Sequence, residues 1–65
     1  MRVLINQQAH ELPATATLAD AVQAIQASGP FAAAVNLRFV PRTQYASTPL
    51  AEGDQIEIIS PVTGG

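Results

Sequence analysis

The residues of this chain that are equipped for chemistry are few and poorly placed to act together. His10 is the sole histidine. A Ser-His-acid relay or a histidine-based metal site needs converging partners, and none stands at a telling spacing from it. His10 therefore reads as an ordinary strand residue. Glu52 and Asp54 are a carboxylate pair of the kind used in acid–base work, but they flank Gly53 in a turn signature, and a solvated turn is the stronger reading. The absence of Cys excludes thiol catalysis, thiolate metal sites and disulfides together. No Gly-rich phosphate loop occurs either. No catalytic residue and no metal ligand is expected in the body of the chain.

The remaining candidate is the C-terminal stretch Ser60-Pro61-Val62-Thr63-Gly64-Gly65. Glycine lacks a Cβ, so two in succession make a slim, pliable peptide able to enter a channel too narrow for side chains. The terminal carboxylate has a reference pKa of about 3.3–3.7, is ionised at neutral pH, and becomes an acyl donor once phosphoryl transfer activates it. Upstream, the apolar run Ile56-Glu57-Ile58-Ile59 is followed closely by Pro61, which has no N–H to give a central ladder. The spacing predicts a domain over residues 1–59 and a flexible tail over 60–65. From Ile59 to Gly65 an extended chain spans about 20 Å, enough to reach a partner's buried site while the body stays outside.

Arg38 and Arg42 bracket Phe39-Val40-Pro41 and read equally well as a grip on an acidic partner or as solvated charges beside a turn. Leu4, Phe39 and Ile59 are expected on the sheet face away from the helix. There a shared apolar patch would mark a docking surface, against the rival that they are scattered or partly covered.

These groups need a small scaffold, and the rest of the sequence describes one. Arg2 to Asn6 is a β-rich run, Asn6-Gln7-Gln8 a polar turn, and Ala9 to Leu12 a second strand ended by Pro13. Alternation points Val3 and Ile5 to one side and Leu4 to the other. Thr17 followed by Asp20 starts a helix whose Leu18, Ala21, Val22 and Ile25 recur at the spacing of one buried stripe. Gly29 is positioned to take the left-handed conformation at its end, and Pro30 forbids continuation. Phe31 to Leu37 predicts a third strand with Arg38 turning the chain into a brief strand at Phe39-Val40. Arg42 to Thr48 predicts a turn with a single helical turn. Gln55 to Ile59 closes the set, with Ile56 and Ile58 inward and Gln55 and Glu57 outward. Strand, strand, helix, strand, short strand, strand fits an α+β fold. One mixed four- to five-stranded sheet packs on one main helix, with the first and last strands parallel at its centre.

Composition narrows the function. At 65 residues the chain has room for one domain and no large catalytic cleft, and 48% hydrophobic residues suffice for a core. Three basic against five acidic residues give a net charge of −2, the wrong sign for gripping nucleic acid. The apolar run Val3-Leu4-Ile5 is too short for a signal or membrane segment, and the chain is expected to be cytoplasmic. All three basic residues are Arg, so the chain offers no Lys amine for an isopeptide link to its own kind.

Four segments together carry a family likeness: Arg2-Val3-Leu4-Ile5-Asn6, Val35-Asn36-Leu37-Arg38-Phe39-Val40-Pro41-Arg42, Glu52-Gly53-Asp54-Gln55-Ile56-Glu57-Ile58, and the terminal Gly64-Gly65. Over nearly its whole length the chain resembles the ThiS family of thiamine-biosynthesis sulfur carriers, β-grasp relatives of ubiquitin. The resemblance implies a β-grasp fold and a protein substrate rather than an enzyme. A ThiF-like adenylyltransferase would use ATP and Mg²⁺ to convert the Gly65 carboxylate to an acyl-adenylate, with Gly64, Thr63 and Val62 threading its site. Sulfur from a donor such as a cysteine desulfurase would displace AMP, and the Gly65 thiocarboxylate would pass its sulfur to the thiazole synthase ThiG. The scaffold would supply docking, for which Leu4, Phe39, Ile59 and Arg42 are the candidates read from the sequence above, and no cofactor would be bound by the chain itself. Two alternatives stay open: a molybdopterin synthase small-subunit carrier, usually longer, and a β-grasp module that binds partners without covalent chemistry.

Overall fold

In a computed structural model, residues 1–27 and 29–59 are described; Ser28 and the expected tail, residues 60–65, lie outside them. The strands are β1 (Arg2–Ile5), β2 (Gln8–Glu11), β3 (Ala32–Val35), β4 (Arg38–Val40) and β5 (Gln55–Ile59). One α-helix, α1 (Leu18–Ala24), follows β2, and a 3-10 helix (Arg42–Ser47) follows β4. The five strands form one mixed sheet in the order β2-β1-β5-β3-β4, with β1 and β5 parallel and the other neighbours antiparallel. This is the β-grasp arrangement implied above, and it puts the last strand of the chain at the centre of the sheet. No helix among the described residues is long and apolar enough to cross a membrane.

The core follows the alternation in the sequence. Val3, Ile5 and Ile56 point from the central strands toward Leu18 and Ala21 of the helix, and all are buried. Ile5, Leu18, Ile56 and Val3 are the largest fully buried side chains, and each contributes about 1.5–3 kcal/mol of transfer free energy. Val22, Ile25 and Ile58 pack at the edge of this cluster and are half-buried. The core also takes in Tyr45 from the 3-10 helix, and Ala16 and Leu50 from connecting segments. Leu50 N–H donates to the Ala16 carbonyl (3.1 Å) and Leu18 N–H to the Thr48 carbonyl (2.9 Å), which ties the helix entry to the segment before β5.

The helix starts where expected. Thr17, in extended backbone, donates its N–H to the Asp20 carboxylate at 2.8 Å, and the acid sits in the positive first turn. Its end differs from the expectation. The left-handed residue is Gln26 (φ 57°) rather than Gly29, although Gly29 also has positive φ. Ala27 N–H donates to the Val22 carbonyl (3.2 Å) and Gln26 N–H to the Gln23 carbonyl (3.0 Å), a Schellman pair. The pair satisfies the terminal carbonyls soon after Ile25, before the chain reaches Gly29.

The second hairpin also turns earlier than read. Asn36 and Leu37 form its two-residue turn, and Arg38 begins β4 instead of turning the chain. Leu37 is therefore 88% exposed and outside the apolar run it extends in sequence. The first hairpin is built alike, with Asn6-Gln7 as its turn and Gln8 already in β2. Both turns hold their two residues at φ 51° and 69°. Positive φ at both positions is the mirror-type turn whose twist matches a right-handed hairpin, and Asn is among the few non-Gly residues that accept it readily.

Candidate functional site

The described residues enclose no pocket and hold no cluster of metal-ligating side chains. The two carboxylates at the turn before β5 are engaged structurally. Glu52 accepts the Arg2 N–H (2.9 Å), while Asp54 accepts the Ala51 N–H (2.8 Å) and an Asn36 amide N–H (3.0 Å). His10 lies opposite Val3 in the β1–β2 pairing and is half-buried.

What the fold positions with care is the strand that leads to the C-terminus. On one side Ala32 stands in register with Ile59, so β3 accompanies β5 to its last residue. On the other side the parallel register with β1 stops at Ile5 and Ile56, because the chain there turns away into the hairpin. Asn6 continues the ladder: its backbone N–H donates to the Ile56 carbonyl (2.9 Å) and its side-chain Oδ1 accepts the Ile58 N–H (2.9 Å). Asn36 does the equivalent at the start of the strand, donating its N–H to the Gln55 carbonyl (2.7 Å) and accepting the Gln55 N–H on Oδ1 (3.0 Å). The first residue of each hairpin turn thus clamps one part of β5, and the strand is held up to Ile58 by contacts from both sides. The sequence marks both asparagines as turn residues; their second role, across the sheet, leaves no local signal.

Of the residues expected to act, Gly65, Gly64, Thr63 and Val62 lie outside the described residues. Leu4, Phe39 and Ile59 share the sheet face away from the helix, since Leu4 is opposite Gln55, Phe39 opposite Ala34 and Ile59 opposite Ala32. Phe39 is 69% and Ile59 58% exposed, while Leu4 is half-buried. Ala32 and Ala34 make a low floor between Phe39 on β4 and Ile59 on β5. Gln55 and Glu57 stand on the same face between that floor and Leu4, so the apolar ground near the end of β5 belongs to Phe39 and Ile59. Arg42 is not part of it. Its guanidinium lies over the Phe31 ring, 5.5 Å from the centroid, and Phe31 packs against the core on the helix side.

Comparison with known proteins adds to this geometry. The model of the ThiS family matches residues 3–65. No curated relative matches the chain. Among solved structures, the crystal structure of the thiamine biosynthesis protein ThiS from Geobacter metallireducens superposes with a TM-score of 0.81 at 16% sequence identity, covering 100% of both chains. At that identity the likeness speaks to the fold, and it matches the five-stranded sheet and single α-helix described above.

Proposed function

The chain belongs to the ThiS family, and from that membership we propose that it is a sulfur carrier for the thiazole moiety of thiamine, working through its C-terminal carboxylate. The observation that carries the reading is that the family match runs through residue 65 and so includes Gly64-Gly65. The chain is a substrate for partner enzymes. An adenylating partner uses ATP and Mg²⁺; the Gly65 carboxylate attacks the α-phosphate, pyrophosphate leaves, and an acyl-adenylate forms. The terminal sulfur of a persulfide on a donor such as a cysteine desulfurase then attacks the carbonyl carbon and AMP leaves, giving an acyl disulfide; a thiol attacks the donor's sulfur, forms a disulfide with it and releases the carrier's sulfur. The resulting thiocarboxylate delivers sulfur to the thiazole synthase.

The body's part is mechanical. A rigid central strand fixes where the tail starts, while Gly64 and Gly65 carry no side chain to obstruct a narrow channel. Phe39 and Ile59, exposed on the face beside that root, offer apolar contact to the partner that receives the tail.

The deciding experiment is intact mass spectrometry of the protein from its own cells, with the expected result that one terminal oxygen is replaced by sulfur. Following that sulfur into thiazole supports the proposal, and following it into molybdopterin selects the other carrier reading. A chain lacking Gly65 should keep its fold and lose function; full function after that deletion would leave only a non-covalent binding module.

A further inference from the structure

Arg42 occupies an unusual setting for a surface cation. It is the first residue of the 3-10 helix Arg42–Ser47, in which residues three apart eclipse one another. Arg42 and Tyr45 therefore share a side, and Phe31 meets both: its ring stacks on Tyr45 (centroids 5.9 Å apart, planes 18° apart) and lies under the guanidinium. Tyr45 is buried in the core. Two of the chain's three aromatic residues thus hold one exposed arginine in place.

That arginine has no ionic partner among the described residues, where the ion pairs are Met1 and Arg2 with Glu11. Its location is specific. Phe31 immediately precedes Ala32, the register partner of Ile59, so the ring that seats the guanidinium stands one residue from the strand pair that ends β5. Pre-organising a flexible side chain before association reduces the ordering cost paid when it binds.

We propose that Arg42 is a docking residue that accepts a carboxylate from the adenylating partner, at the rim of the channel entered by the tail; this rests on the carrier reading above. An acidic side chain, not the nucleotide, is the fitting counterpart. The reacting carboxyl is about 20 Å from Ile59 in an extended tail, beyond the reach of a guanidinium seated on Phe31. A planar guanidinium held on a ring still presents its N–H edge for a bidentate carboxylate.

ATP–pyrophosphate exchange by the cognate adenylating enzyme, with the carrier concentration varied, tests this. Arg42→Gln should raise KM for the carrier about threefold and Arg42→Glu about tenfold, with kcat and KM for ATP unchanged and the salt dependence of KM flattened. Phe31→Leu, which keeps the charge and removes its seat, should fall between wild type and Arg42→Gln. Arg2→Gln changes net charge equally at the far end of the sheet and should leave KM within twofold. KM changes below twofold for both Arg42 variants would overturn the proposal, as would an equal effect from Arg2→Gln or an effect carried by kcat or KM for ATP. Failure of the wild-type chain itself to support exchange would instead overturn the carrier reading.

Discussion

Asn6 Oδ1 accepts a hydrogen bond from the Ile58 N–H at 2.9 Å, across 52 positions of sequence. It supplies a side-chain oxygen where β1 has no carbonyl left to offer, because the chain has already turned. Replacing Asn6 with Gly keeps the positive φ of the turn and removes the side-chain bond. The expected loss is about 0.5–1.5 kcal/mol, read as a lower urea midpoint with unchanged m-value. Asn6→Val should cost more, since a β-branched residue at φ 51° adds strain.

The helix ends on Gln26 at φ 57°, a conformation that disfavours residues with a Cβ. Gln26→Gly should raise stability by about 0.5–1 kcal/mol, the relief of strain exceeding the added unfolded-chain entropy. A higher melting temperature is the expected readout; a drop would mean that the Gln26 side chain contributes packing that its exposure conceals.

Ile56 and Ile58 both point inward but differ in depth, at 1% exposure for Ile56 and half-buried for Ile58. Ile56→Ala should cost about 2–5 kcal/mol and Ile58→Ala about 1–2 kcal/mol. Denaturant unfolding of the two variants checks the order, and the reverse order would place the helix over the wrong part of β5.

Phe39 is 69% exposed on the sheet face away from the helix. Phe39→Ser should change stability by less than about 0.5 kcal/mol, as for other surface sites, while weakening engagement of the adenylating partner. A large fall in melting temperature would assign this ring a structural role instead.

Gly64 follows the end of β5 by five positions. A bulky residue there should leave the thermal melt nearly unchanged and abolish ATP–pyrophosphate exchange by obstructing the partner's channel. An undiminished exchange rate would remove the steric argument for the paired glycines.

Local pattern in the sequence determined the five strands, the single helix and its Thr17-Asp20 start, the inward sides of Val3, Ile5 and Ile56, and the chemistry available to a Gly-Gly carboxylate. These follow from periodicity of two or 3.6 residues and from turn chemistry, which act between near neighbours. Tertiary structure decided the rest. It made Asn36-Leu37 a turn and left Leu37 exposed, because the register with β5 pairs Val35 with Ile56 and sends the chain back from there. It also brought Tyr45 and Leu50 into the core, used Asn6 and Asn36 to clamp the last strand, and seated Arg42 on Phe31. Each of these contacts joins residues far apart in the chain. Their geometry depends on how the elements cross, and no spacing along the sequence records it.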